Sequence, residues 1–175
     1  MIHGALFSSH RVDHYTPASV VERVVRALGV IDLDPCSNSR EVPNIPAVDH
    51  FTQTENGLSR PWFGRVYMNP PYGREIGKWA RKLVDEYRAG NVHSAVALLP
   101  ARMDTRWFRE FGGFPVCFIR GRLRFLDQEG REQESAPFPS VVIYLGPEPE
   151  RFYAEFQSLG EIYLPWAGGS QCLAS

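Results

Sequence analysis

The sequence predicts an α/β fold: a mostly parallel sheet with helices on both faces and a β-hairpin near the C-terminus. Three observations carry this. Short apolar runs alternate with segments of helical period along most of the chain, the pattern of strand–helix–strand units on a parallel sheet. The clearest unit is the apolar run 65–68, a helix-period segment, then the apolar run 92–99. Farther on, the apolar runs 116–119 and 141–145 flank a polar stretch with no helical period, as the two arms of a long hairpin do.

At 175 residues the chain is expected to form one domain with a substantial core. The hydrophobic share of 43% and charged share of 22% are those of a globular protein in water. No window approaches the roughly 20 apolar residues of a membrane span, and Met1 to Arg11 lacks the apolar stretch of a secretory signal. Cys36, Cys117 and Cys172 have neither disulfide-framework nor zinc-ligand spacing. A reducing cytoplasm is the expected setting, with no bound metal. A net charge of −1 argues against a protein that coats nucleic acid nonspecifically. A local basic face remains, because six arginines lie between Arg102 and Arg124 against Asp104 and Glu110.

In chain order, residues 1–12 show no periodicity and read as a loose arm. Thr16 and Pro17 read as the N-cap and first residue of a helix. Val20, Val21, Val24, Val25 and Leu28 repeat at helical spacing, and Gly29 closes the helix. The helix start offers N–H groups and a hydroxyl to a polar ligand. Val30 to Leu33 reads as a short strand, imperfect because Asp32 interrupts it. It ends in Asp34-Pro35-Cys36-Ser37-Asn38, an acid at a strand tip followed by small polar residues, which suits a nucleotide-like cofactor. Residues 39–64 read as loop, with strand pieces at 48–52. A ribose-binding carboxylate is expected about 20 residues after the first loop, and Asp49 and Glu55 are the candidates. Asn56 and Trp62 are placed to bracket an adenine ring, although burial in the core carries more weight for Trp62.

The organising stretch follows. Arg65-Val66-Tyr67-Met68 reads as a buried strand, and Arg74 to Ala89 reads as a helix with Ile76, Trp79, Ala80, Leu83, Val84 and Tyr87 on its core face. Between them lies Asn69-Pro70-Pro71-Tyr72-Gly73, at the strand edge where open sheets place ligands. The two prolines stiffen the corner and remove two N–H donors. An amine can donate its two protons there, to the Asn69 amide oxygen and the Pro70 carbonyl, and its ring can stack on Tyr72.

The run 92–99 is a buried strand in which His93 reads as structural. It delivers Arg102 and Arg106 to the same rim, as contacts for phosphate or substrate, with Asp104 as a cap for a following helix. After strand 116–119, the alternation of Arg120, Arg122 and Arg124 with Leu123 and Phe125 reads as a strand with one basic face. Residues 149–159 read as a helix, 162–164 as a strand and 167–175 as a frayed tail.

These blocks resemble the small phage-type DNA N-6-adenine methyltransferases. The likeness runs from Tyr15 to Tyr163 and is carried by Tyr15-Thr16-Pro17, Asp34-Pro35-Cys36-Ser37-Asn38, Phe51-Thr52, Asn56-Gly57-Leu58, Trp62, Asn69-Pro70-Pro71-Tyr72-Gly73, Leu99-Pro100-Ala101-Arg102, Asp104-Thr105, Gly121-Arg122-Leu123-Arg124-Phe125 and Pro137-Phe138-Pro139-Ser140. Ser37, Asn38 and Ser39 stand where that family's first cofactor motif carries glycines. The resemblance implies a Rossmann-like methyltransferase fold without a separate target-recognition domain. It also implies methyl transfer from S-adenosylmethionine to N6 of an adenine flipped out of double-stranded DNA; a monomer or a homodimer is expected, with nothing in the sequence that demands a dimer. The implied catalytic residues are Asn69, Pro70, Pro71 and Tyr72. The implied cofactor-binding residues are Tyr15, Thr16, Pro17, Asp34, Pro35, Cys36, Asn56 and Asn69, and the implied DNA contacts are Arg102, Arg106, Arg122 and Arg124. The same Asn-Pro-Pro-Tyr serves methyl transfer to a glutamine amide of a protein. RNA adenine and a non-catalytic cofactor-binding protein also remain open.

Overall fold

A computed structural model describes residues 14–165. The N-terminal arm and the C-terminal tail expected from the sequence lie outside these residues, as does Cys172. The described chain builds one seven-stranded sheet. Its strands are β1 (Ile31–Asp34), β2 (Ala47–His50), β3 (Gly64–Met68), β4 (Val92–Pro100), β5 (Val116–Ile119), β6 (Ser140–Leu145) and β7 (Gly160–Tyr163), in the spatial order β2-β1-β3-β4-β6-β5-β7. The first four strands in that order are mutually parallel, and β6 and β7 enter antiparallel to their neighbours.

Helix α1 (Ala18–Leu28) and helix α3 (Pro149–Phe156) share one face of the sheet, and helix α2 (Ile76–Arg88) covers the other with a 3₁₀ turn at Trp107–Phe111. Strand period 2 explains how one strand serves both layers. In β3, Tyr67 points into the α1/α3 layer, while Val66 and Met68 point into the α2 layer. On α2 the buried residues are Ile76, Trp79, Ala80, Leu83 and Val84, the stripe read from the sequence except for Tyr87, which is half-buried. Burying each large side chain of that stripe stabilises the layer by about 1.5–3 kcal/mol.

Several local expectations are corrected. Helix α1 begins at Ala18 with Pro17 as its N-cap, and Thr16 makes no capping bond. Thr16 is turned inward and buried, where it bonds Tyr67 instead. Asp32, which spoiled the first strand's pattern, accepts from the Arg65 N–H at 2.8 Å and from Arg65 Nε at 3.0 Å, tying β1 to β3. Asp104 caps nothing, because the 3₁₀ turn that follows is entered through Arg106 without a side-chain bond. Residues 120–125 are not a strand. Gly121 takes a φ of 71° and turns the chain out of the sheet, just past the last residues of β5 that find partners on β6 and β7. The alternation of burial survives: Leu123 and Phe125 are buried while Arg120, Arg122 and Arg124 are exposed. The long hairpin is thus the β5–β6 pair, joined by an excursion that folds on itself through Gln133 N–H to Phe125 and Ala136 N–H to Leu123.

Strand β1 lies between β2 and β3, so the chain leaves it first toward one side and later returns to the other. This is the topological switch point at which open α/β sheets form their ligand crevice, beyond the strands' C-terminal ends.

Candidate active site

A cleft of about 1050 Å³ opens at that switch point. Its walls come from the turn after β1 (Asp34 to Asn38), the segment before α1 (His14 to Thr16), Phe51 to Gln53 after β2, the Asn56–Leu58 turn, and the Asn69–Glu75 corner after β3. The resemblance-derived residues Tyr15, Thr16, Asp34, Pro35, Cys36, Asn56, Asn69, Pro70, Pro71 and Tyr72 therefore converge on one cavity. Pro17 does not line it, and neither do Arg102, Arg106, Arg122 and Arg124. Those four arginines are exposed, Arg102 and Arg106 beyond the end of β4, and Arg124 lies 3.8 Å from Glu132.

Asn69 is held in one orientation. Its Nδ2 donates to the His14 carbonyl at 2.7 Å and to Thr16 Oγ1 at 3.2 Å. A carbonyl can only accept, so the amide nitrogen is fixed on that side. Its Oδ1 is buried and has no hydrogen-bond partner. A buried acceptor without a partner costs about 1–3 kcal/mol, and such groups mark a place where a donor belongs. Thr16 is the junction that carries this order inward. Its hydroxyl lies 2.8 Å from Tyr67 Oη, its N–H donates to Asn44 Oδ1 at 3.0 Å, and Asn44 N–H donates to Asn38 Oδ1 at 2.8 Å.

On the other wall, Asp34 is 3% exposed. Cys36 N–H donates to its Oδ1 at 3.0 Å. Burial pushes its carboxyl up to about 7, against the opposing pull of the Cys36 N–H and the Ser37 side chain. Burial, followed by the neighbouring Asp34, raises the Cys36 thiol well above its ordinary value, so it is held as the neutral thiol. Burial likewise pushes the phenols of Tyr67 and Tyr72 up, which keeps both as neutral donors. The turn after β1 is pinned to β2 by Phe51 N–H to the Asp34 carbonyl at 2.9 Å and Ser37 N–H to the Phe51 carbonyl at 3.0 Å. Those backbone bonds hold a loop that carries no glycine. The close approach has moved to Gly57, where an added Cβ would fall 2.2 Å from the Pro35 carbonyl oxygen.

Neither carboxylate expected near the ribose reaches the cleft. Arg40 takes both, Glu55 through Nε and Nη2 and Asp49 through Nη1. The Arg40 bond, aided by the Thr52 N–H, lowers the Glu55 carboxyl to about 2. Thr52 and Gln53 line the cleft in their place. Trp62 belongs to the core, 2% exposed, with its Nε1 donating to the Gly57 carbonyl at 2.8 Å. His93 is exposed at the opposite end of β4.

The structure adds residues that sequence reasoning missed. Tyr72 donates to the Leu98 carbonyl at 3.2 Å, which fixes its ring, and that ring is surrounded by His14, Phe125 and Phe138. Asn44 sits between Pro43 and Pro46 in a stretch that carried no periodic signal. Phe138 belongs to a block that supported the resemblance, but no spacing rule could bring it to Tyr72.

A parallel-centred sheet, a switch-point cleft and an Asn-Pro-Pro-Tyr corner on its rim define the class of Rossmann-like methyltransferases. The family model described as DNA N-6-adenine-methyltransferase (Dam) matches residues 6–159, and the chain belongs to that family. A comparison with curated proteins returned no match. Among the described residues, no group of three or more His, Cys, Asp or Glu side chains could hold a metal ion, and no helix is long and apolar enough to cross a membrane.

Proposed function

We propose that this protein transfers a methyl group from S-adenosylmethionine to N6 of adenine in DNA. The observation that carries the reading is the Asn69 amide. Its nitrogen is fixed by His14 and Thr16, and its buried oxygen waits for a donor. An exocyclic amine supplies that donor.

The residues present fit the cofactor. The cleft is large enough for a nucleoside-sized ligand beside a base. Asp34, Thr16, Asn38, Thr52 and Gln53 offer it polar partners, and Pro35, Cys36 and Leu58 offer an apolar surface. When bound, S-adenosylmethionine supplies an electrophilic methyl group on a sulfonium. The chain's own part is positioning. Asn69 Oδ1 and the Pro70 carbonyl accept the two protons of the amine, which keeps its lone pair free and pointed away from them. Tyr72 offers a ring face to the base. Neither group needs to ionise; the rate comes from orientation.

An adenine inside a duplex cannot reach this corner, so the base must leave the stack, at a cost of a few kcal/mol. Exposed Arg102, Arg106, Arg122 and Arg124 are the phosphate contacts of this proposal. With these arginines as the contacts offered to DNA, a short or relaxed sequence preference is expected. The protein acts in the cytoplasm as a monomer or a homodimer.

The test is label transfer. The protein is incubated with radiolabelled S-adenosylmethionine and, in separate reactions, unmethylated DNA, RNA and bulk protein. Label on N6 of adenine in DNA is the expected result. Label confined to RNA or to protein, or none at all, defeats the proposal.

A further inference from the structure

Met103 is 59% exposed at the tip of a turn on the sheet edge that carries the site. A single exposed apolar side chain is ordinary on a protein surface. Three relationships set this one apart. The first is position. Strands β3 and β4 run parallel and side by side, so the loop after β4 leaves the sheet at the same edge as the Asn69–Tyr72 corner after β3. Short contacts join the two. The Tyr72 hydroxyl donates to the Leu98 carbonyl at 3.2 Å, and the Phe138 ring lies 5.4 Å from the Tyr72 ring. The next carbonyl, that of Pro139, accepts from the Ala101 N–H at 2.9 Å. Met103 follows Ala101 by two residues.

The second relationship is a braced backbone. Thr105 closes the turn on the Arg102 carbonyl, with its N–H at 3.1 Å and its hydroxyl at 2.6 Å. Trp107, just beyond, stands against the start of α2, where a Cβ added at Gly77 would fall 3.3 Å from Trp107 Cβ. The third is charge. Arg102, Arg106 and Arg109 are all exposed, and Asp104 is the one acid in this stretch. Glu110, which follows it, is taken by Arg81 at 2.8 Å. An apolar tip flanked by cations suits entry between base steps: the cations hold phosphates, and the apolar group goes to the stack.

We propose that Met103 is the wedge that enters the duplex where the target adenine has left it. An extruded adenine leaves a gap between its two stacking neighbours, opposite an unpaired partner base. The unbranched thioether side chain is long and supple enough to fill such a gap. Filling it slows the return of the base and so keeps the amine within reach of the Asn69 oxygen. Met103 touches no reacting atom; it is a positioning residue. The proposal rests on the reading that the target base leaves the stack, and the experiment separates the two.

Steady-state methylation is measured on two duplexes with the same single target adenine, its flanks chosen by mapping methylation on random-sequence DNA. In one duplex the adenine faces thymine, in the other cytosine. The mismatch lowers the cost of extrusion, so a wedge matters less there. Met103→Ala should lose about tenfold in kcat/KM on the paired duplex, within the range of one base-stacking contact, and at most about twofold on the mismatched one. Met103→Leu, which keeps an apolar side chain of similar volume, should retain most of the native rate on both. Arg102→Ala should lose equally on both, because a phosphate contact does not depend on pairing. Both positions are exposed, so thermal unfolding of each variant should match the native chain. Equal loss on the two duplexes in Met103→Ala, or loss on neither, overturns the wedge and leaves methyl transfer standing. A native chain slower on the mismatched duplex also overturns it, because extrusion is then not the costly step that a wedge serves. If the native chain methylates no adenine in DNA, the functional reading falls and the wedge with it.

Discussion

Asn44 grips the backbone of Thr16 with both ends of its amide: Oδ1 accepts from the Thr16 N–H at 3.0 Å, and Nδ2 donates to the Thr16 carbonyl at 3.3 Å. Thr16 in turn holds Asn69. A side chain in a loop with no periodic signal therefore sets the position of the amide that defines the site. Asn44→Ala should cost about 1–2 kcal/mol through these bonds. That is a drop of roughly 2–8 °C in Tm for a chain of this size, read by thermal unfolding. Turnover should fall more steeply than DNA affinity, because the loss falls on orientation.

Asn69→Ala removes the unpartnered oxygen together with the amide nitrogen that binds His14. Methyl transfer to DNA should fall about 10²-fold or more. S-adenosylmethionine affinity, measured by calorimetry, should change only a few-fold. Full turnover in this variant would sink the assignment.

Asp34 gives the stability a pH dependence. Its folded value stands near 7, well above its ordinary one. The folded state therefore holds this proton more tightly than the unfolded state does. The resulting stability is fully present below the ordinary value, is lost as pH rises toward 7, and is absent above it. Asp34→Asn removes the effect. The variant's Tm relative to the native chain should rise between about pH 4 and pH 7 and level off beyond. A difference that is flat across that window would contradict the burial of Asp34 as its cause.

Gly57→Ala places a methyl group 2.2 Å from the Pro35 carbonyl oxygen and 3.3 Å from the Trp79 ring. The nearest atom is backbone, so the two turns must separate. A loss of about 1–3 kcal/mol in stability is expected. Because both turns line the cleft, S-adenosylmethionine should also bind more weakly. Unfolding and calorimetry on one preparation test both.

The arginines outside the cleft should act through phosphate alone. Changing Arg102, Arg106 or Arg122 to Ala should weaken DNA binding evenly across sequences. Each real contact removed should lower the slope of log affinity against log salt by about one. Arg124 faces Glu132 at long range, and its removal should give a smaller change. An unaltered slope in all four would move the DNA to another face.

The elements were largely legible because each rests on local periodicity. The α2 stripe, the buried run of β4 and the Asn-Pro-Pro-Tyr corner between two regular elements stand in the structure where spacing put them. Residues 120–125 misled because alternation reports which side chains are buried. It does not report how far the neighbouring strands extend, and β6 and β7 begin at Ser140 and Gly160, which leaves no strand opposite the residues after Arg120. Asp49 and Glu55 misled because spacing from the first loop says nothing of Arg40, which claims both carboxylates.

By itself the sequence determined the α/β class, the strand that ends at Met68 and the stiff amide-bearing corner that follows it, since period, proline stiffness and side-chain type are local properties. Only the tertiary structure decided which way the Asn69 amide faces, that Asn44 steadies it through Thr16, and that His14 sits within a cage of Tyr72, Phe125 and Phe138. Those relationships join residues 28 to 124 positions apart in the chain. A contact across such a distance follows from how the layers close, which no local pattern encodes.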